Sequence, residues 1–182
     1  VSEGPLTDMV YSGEHYDARA EQPGWCSPGF DDSSWKQAAP RRAPGGKMVA
    51  KTSPADRVME ILRPEKIEKL GEGRYRIDFG EEISGWVHLH DVTGEAGQRI
   101  DIRYLCESPN GSNSYTMRGG APESYHTRFT WYVFREVEID GWPGDDGPTL
   151  ALQVMRLIAP QMQGGAIALN DNAEDDYLKW IR

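Results

Sequence analysis

Between residues 74 and 105 the chain repeatedly changes polarity from one residue to the next, and this two-residue period is the strongest constraint on its fold. The run Ile100-Asp101-Ile102-Arg103-Tyr104-Leu105 alternates cleanly, and Arg74 to Phe79 and Trp86 to His90 alternate over part of their length. Only an extended strand places every second side chain on one face; a helix would need a period of 3.6. Phe129 to Ile139 is a long aromatic and β-branched stretch, and Leu150 to Ala159 is another apolar one. Turn-forming segments separate them: Gly71-Glu72-Gly73, Gly94-Glu95-Ala96-Gly97, Asn110-Gly111 and Pro143-Gly144-Asp145-Asp146-Gly147. Short strands spaced this way, with no helical pattern between them, predict an all-β fold. The expected form is an antiparallel β-sandwich of jelly-roll type over residues 47–168.

The two ends read differently. Residues 1–46 are rich in Gly, Pro, Asp and Trp, with little periodicity. They read as an irregular arm, the end of a preceding domain, with Pro40 to Gly46 as a linker. Within the arm, Asp31-Asp32-Ser33-Ser34-Trp35 reads as a helix N-cap followed by one or two turns. Residues 10–35 are expected to pack on the sandwich, because Tyr16, Trp25, Phe30 and Trp35 carry too much apolar area to leave in water. Residues 169–182 begin with capping Asn and Asp, and place Tyr177, Leu178 and Ile181 as the start of an amphipathic helix. Both ends therefore read as pieces of neighbouring domains.

Composition excludes several functions. A net charge of −9 and a pI near 4.9 repel phosphate backbones and anionic lipid, so neither nucleic acid nor membrane is expected as a partner. No apolar stretch approaches the roughly 20 residues of a membrane-spanning helix, and the first residues do not read as a signal peptide. Cys26 and Cys106 could form a disulfide or stay as two thiols, and free thiols are favoured because a chain of 182 residues buries a core without staples. Neither a GxGxxG, a P-loop nor a GxSxG occurs, so no nucleotide, cofactor or elbow-type nucleophile is implied.

Glycoside hydrolysis needs two carboxylates about 5–10 Å apart. The nearest pairs are Glu14 with Asp17, Asp31 with Asp32, and Glu81 with Glu82. Each is explained more simply: an ion pair with Arg19, a cap, and a polar turn. His88 and His90 share a strand face as metal ligands can, with a third ligand to come from Asp101 or His15, but a solvated face explains them better. The remaining feature is six Trp and eight Tyr. Trp25, Trp35, Trp86 and Tyr132 read as core or interface anchors. Trp142, beside Gly141 and Pro143, is the foremost candidate for a surface sugar contact, followed by Tyr125 and Trp131. Asp17, Arg19, Trp25, Trp35, Asp78, Gly80, Gly85 and Trp86 read as structural. In that set Asp78 caps the turn through Gly80, Gly85 allows a close backbone approach, and Trp86 anchors the next strand in the core.

Several stretches taken together resemble bacterial α-L-rhamnosidases. GEHYDARAEQPGW (13–25) and PGFDDSSW (28–35) are similar to the end of that family's N-terminal domain. RVMEILRP (57–64), YRIDFGEEISGWVHLHDVTGEAGQRIDIRY (75–104), SYTMRGG (114–120) and RFTWYVFREVEIDGWPG (128–144) resemble the concanavalin-like domain that follows. NDNAEDDYLKWIR (170–182) is similar to the first helix of the helical-barrel catalytic domain. Glu82 and Val133 depart from the family's usual Asn and Gly. The resemblance implies an accessory sandwich upstream of an inverting rhamnosidase barrel, with that catalytic domain as its partner. It assigns no catalytic residue, metal or cofactor to this chain, and allows rhamnose-containing glycans as ligands. An independent carbohydrate-binding module is the alternative.

Overall fold

The computed structural model describes residues 4–7, 13–43, 45–50, 57–105, 111–148 and 152–158. Ten strands run through them: β1 (Leu6–Thr7), β2 (His15–Asp17), β3 (Arg57–Leu62), β4 (Lys66–Gly71), β5 (Arg74–Val92), β6 (Arg99–Leu105), β7 (Ser112–Thr116), β8 (Glu123–His126), β9 (Tyr132–Asp140) and β10 (Leu152–Ile158). Among the described residues the only helical segment is a single 3₁₀ turn, Ala18–Ala20. The all-β reading therefore holds.

The nineteen-residue strand β5 organises the sandwich. One of its edges carries β4 and then β10, and the other carries β9 and then β8. Its first half thus lies in a layer running β4-β5-β9-β6-β7-β2-β1, and its second half in a layer running β8-β5-β10-β3. The change of layer needs a bend, and the ladder supplies one. Asp78 pairs with Glu136 and Ile83 with Phe134, so residues 79–82 of β5 face the single residue Arg135 of β9. Arg135 Nε and Nη2 donate to the Asp78 carboxylate at 2.8 and 2.9 Å. The Gly80 N–H donates to the same group at 2.7 Å, with Gly80 at φ +80°. These bonds hold the Asp78 carboxyl below the usual carboxylate range.

The alternation seen in the sequence is the alternation of burial. Tyr75, Ile77, Phe79, Ile83, Val87 and Leu89 of β5 face one core with Ile100, Ile102 and Tyr104 of β6 and Phe134, Val137 and Ile139 of β9. Trp86 corrects the expected pattern. It is out of phase with Val87, so it lies half-buried on the outer face with its ring stacked on His126 at 5.9 Å, not in the core.

Within residues 47–168 every described pairing is antiparallel, as expected. The arm adds a parallel one, β2 with β7, His15 opposite Ser114 and Asp17 opposite Thr116. Nearly a hundred residues separate these strands, so no hairpin constrains their relative direction. The segment 31–35 is not a helix start. Ser33 N–H donates to Asp31 Oδ1 at 3.0 Å and Trp35 N–H to the Asp32 carbonyl at 2.8 Å, which satisfies the turn without further helix. The expected helix over 169–182 lies outside the described residues.

The arm enters the sheet through Gly13, at φ +91°. A Cβ there would stand 1.7 Å from the Ser112 carbonyl oxygen, so the arm approaches β7 at a distance only glycine permits. Gly13→Ala should cost about 2 kcal/mol or more, from left-handed backbone strain and this clash together. Urea unfolding measures the loss, and limited proteolysis should show faster cutting within residues 20–43. An unchanged midpoint and cutting pattern would contradict the account.

Candidate functional site

Docking of β2 carries Glu14 into the interior, where it is fully buried. Its carboxylate accepts from Tyr125 Oη at 3.0 Å, Thr127 Oγ1 at 3.1 Å and the Arg128 N–H at 2.8 Å, with Arg128 Nη1 4.0 Å away. Its own N–H donates to Asn113 Oδ1 at 2.9 Å, and its carbonyl accepts from Ser114 N–H at 2.9 Å. Two more tyrosine–glutamate bonds lie beside this one. Tyr115 Oη donates to Glu123 at 2.7 Å and Tyr16 Oη to Glu21 at 2.6 Å. The rings of Tyr16, Tyr115 and Tyr125 pack together, with centroids 4.8 to 5.9 Å apart. Burial, reinforced by the bond to Glu21, pushes Tyr16 up to about 12, so it stays protonated as a donor.

By fixing Arg128, Glu14 also shapes a cleft of about 900 Å³ between residues 20–38 and the edge of the sandwich. The Arg128 guanidinium lies over the Tyr16 ring at 4.4 Å from its centroid. On the arm side stand Trp25, 63% exposed, and Trp35, whose Nε1–H donates to Gln22 Oε1 at 2.8 Å and whose ring packs on Phe30 at 5.5 Å. Glu21 and Asp32 contribute negative charge to the lining, and Lys36 and Arg128 positive charge.

A second surface begins just past Arg128. Phe129, Trp131 and Val133 are 61%, 55% and 44% exposed, while Tyr132 and Phe134 point inward. Val133 lies in the outward phase of β9, whereas Phe129 and Trp131 precede that strand, so the three make an exposed apolar stretch of chain. A third surface is a row of rings on the outer face of β5 and β8. His88 contacts His126 at 5.4 Å and His90 at 5.7 Å between centroids. Burial first, then the neighbouring His126 and His90, hold the His88 pKa below its ordinary value.

These placements sort the residues singled out in the sequence. Two sugar-contact candidates are corrected: Trp142 is 8% exposed and Tyr125 2%, both inside the core cluster. Gly141 and Pro143 mislead for Trp142, because the turn folds back and Trp142 N–H donates to the Gly73 carbonyl at 3.0 Å. Trp131 is on the surface. Asp17 accepts from the Arg19 backbone at 3.0 Å and from its guanidinium at 2.9 and 2.7 Å, closing the 3₁₀ turn. Gly85 pairs across both edges of β5, with Tyr132 and with Arg156. Trp25 is exposed instead of anchoring the arm. His15 bonds Ser114 and Asp101 bonds Arg99, so neither joins His88 and His90. Among the described residues no cluster of three or more His, Cys, Asp or Glu is arranged to hold a metal. Cys26 is an exposed free thiol, and Cys106 lies outside the described residues. The cleft itself, with Arg128 and Glu21, went unread in the sequence; only the tryptophans at 25 and 35 hinted at it.

Known proteins give this geometry a context. The family "Alpha-L-rhamnosidase N-terminal domain" matches residues 1–60, and "Bacterial alpha-L-rhamnosidase concanavalin-like domain" matches residues 68–159. The chain is 34% identical over 177 residues to an alpha-L-rhamnosidase of Streptomyces avermitilis, covering 88% of this chain and 17% of that protein. It is 30% identical over 162 residues to one from Formosa agariphila, covering 77% of this chain and 17% of the relative. Among solved structures, the alpha-L-rhamnosidase from Dictyoglumus thermophilum superposes with a TM-score of 0.79 at 32% identity, over 87% of this chain and 19% of that one. The Streptomyces avermitilis enzyme complexed with L-rhamnose superposes at 0.74 and 32% identity, over 87% of this chain and 17% of that one. The chain thus spans less than a fifth of the length of these relatives.

Two variants test the described geometry. Glu14→Ala leaves three buried or half-buried donors without an acceptor, and should lower stability by about 3 kcal/mol or more in chemical denaturation. A loss under about 0.5 kcal/mol, typical of a surface site, would contradict the clamp. For His88, the unfolded chain takes up its proton before the folded chain does. Its contribution is therefore intact above the ordinary imidazole range near 6.5 and is lost as pH falls through the lower folded value. Melting temperature should drop between pH 7.5 and 5, and His88→Gln should flatten part of that drop. Parallel profiles for the two proteins would show that His88 plays no part.

Proposed function

This chain belongs to the bacterial alpha-L-rhamnosidase concanavalin-like domain family, and we propose that it serves its parent enzyme as a non-catalytic accessory sandwich supporting the catalytic domain. The observation that carries the proposal is the exposed apolar stretch of Phe129, Trp131 and Val133. Apolar side chains grouped on a surface mark a contact, and a chain spanning less than a fifth of its relatives has most of an enzyme to make that contact with. The buried carboxylates support the same reading. Glu14 and Glu123 each accept three hydrogen bonds from the domain itself, so both serve the fold. The parent reaction is hydrolysis of terminal α-L-rhamnosyl linkages.

A second reading, recognition of glycan by the sandwich itself, is favoured by the Trp25 cleft, where an exposed indole stands beside fixed polar groups.

The docking role is tested with Trp131→Ser in two settings. In the complete parent polypeptide the substitution should lower the melting temperature by several degrees, whereas the 182-residue chain alone should change by about a degree or less, since the site is exposed. Equal effects in both settings would remove the docking role. The chain alone should not hydrolyse an aryl α-L-rhamnoside; turnover above a buffer blank that Glu14→Gln abolishes would overturn the non-catalytic assignment.

A further inference from the structure

We propose that the cleft between residues 20–38 and the Tyr16–Arg128 edge is a binding site for a neutral pyranoside, stacked on the indole of Trp25. The proposal rests on the glycan-recognition reading and names its site and ligand. A volume of about 900 Å³ suits a small glycoside, within the usual range for ligand pockets. Trp25 is 63% exposed yet held in place. Its backbone N–H donates to the Gln22 carbonyl at 3.2 Å, and the next turn closes with Ser27 N–H on the Gly24 carbonyl at 2.8 Å. A large apolar ring exposed on an ordered turn offers contact area at little entropic cost. A pyranose matches it, since one face of the sugar ring is a plane of C–H bonds and its rim is hydroxyl.

The polar groups around that ring are already aimed. Glu21 is held at both carboxylate oxygens, by Tyr16 Oη at 2.6 Å and by Arg118 Nη1 at 3.1 Å. Arg128 is fixed over Tyr16 with its backbone N–H on Glu14. Acids accept from sugar hydroxyls and cations donate to them, so a cleft carrying both serves a polyol rim. Its charge points to a neutral ligand. Glu21 and Asp32 are balanced by Lys36 and Arg128, while the chain as a whole carries −9 and repels uronates and phosphates.

The test titrates the 182-residue chain with methyl α-L-rhamnopyranoside, methyl β-D-glucopyranoside and D-glucuronate, following indole N–H resonances and calorimetry. At least one neutral glycoside should bind saturably in the millimolar range and shift the Trp25 and Trp35 indoles, with glucuronate weaker by about fivefold or more. Trp25→Ala should weaken binding about tenfold or more at an unchanged melting temperature, and Trp25→Phe, which keeps a ring, should restore most of it. Binding that survives Trp25→Ala but is lost in Trp131→Ala would overturn the cleft while leaving glycan recognition standing elsewhere. No binding of either neutral glycoside at about 50 mM, well past the range expected for one stacked ring, would overturn both. Glucuronate as the tightest ligand would overturn the neutral class.

Discussion

The burial of the Glu14 carboxylate is the interaction on which most of this structure depends. An ionised carboxylate taken out of water costs several kcal/mol unless its lone pairs are filled, and here donors fill them from Tyr125, Thr127 and the backbone of Arg128. Those donors lie more than a hundred residues further along the chain. One side chain therefore specifies where the arm sits, where the connection from β8 to β9 runs, and how Arg128 is aimed. The Tyr16, Tyr115 and Tyr125 rings pack around it, each donating to its own glutamate. The cleft and the exposed stretch that starts at Phe129 both adjoin the segment this carboxylate pins.

A second constraint lies in β5. Because this strand serves both layers, its bend has to be held, and Asp78 with Arg135 and Gly80 holds it. The sequence shows this only in part. Asp78 before Gly80 reads as a turn, which matches the local hydrogen bond, but nothing in the neighbouring residues reveals Arg135, which arrives from β9. Likewise Ile100 to Leu105 declares itself a strand by period alone, since both of its faces have a definite environment. Trp86 shows the limit of that method. Alternation sorts residues into two faces but does not say which face is inside when a bulky aromatic lies on one and Val87 and Leu89 on the other.

The candidate site was less legible than the fold. The turn-like neighbours of Trp142 point to the surface, yet a turn flanked by glycines can fold inward as readily as outward, and this one does. Tyr125 lies on a strand too short for its phase to be read. Trp131 lies on the surface, in the connection just before β9. The cleft could not be anticipated, because it is built from residues 20–38 and Arg128, segments brought together by the parallel pairing of β2 with β7 and by the bonds of Glu14 to residues 125–128. Non-local pairing of that kind leaves no local periodicity.

That parallel pairing also orders events in time. During synthesis the arm emerges first, but its partners in β7 and the residues that fill Glu14 appear only after about a hundred more have been added. Contacts of such high sequence separation form late, after loop closure has been offset by other packing. The arm must therefore wait, with Tyr16 uncovered, until the sandwich exists. The cleft is complete only once the arm has docked, and any ligand it holds would bind only chains whose arm is in place.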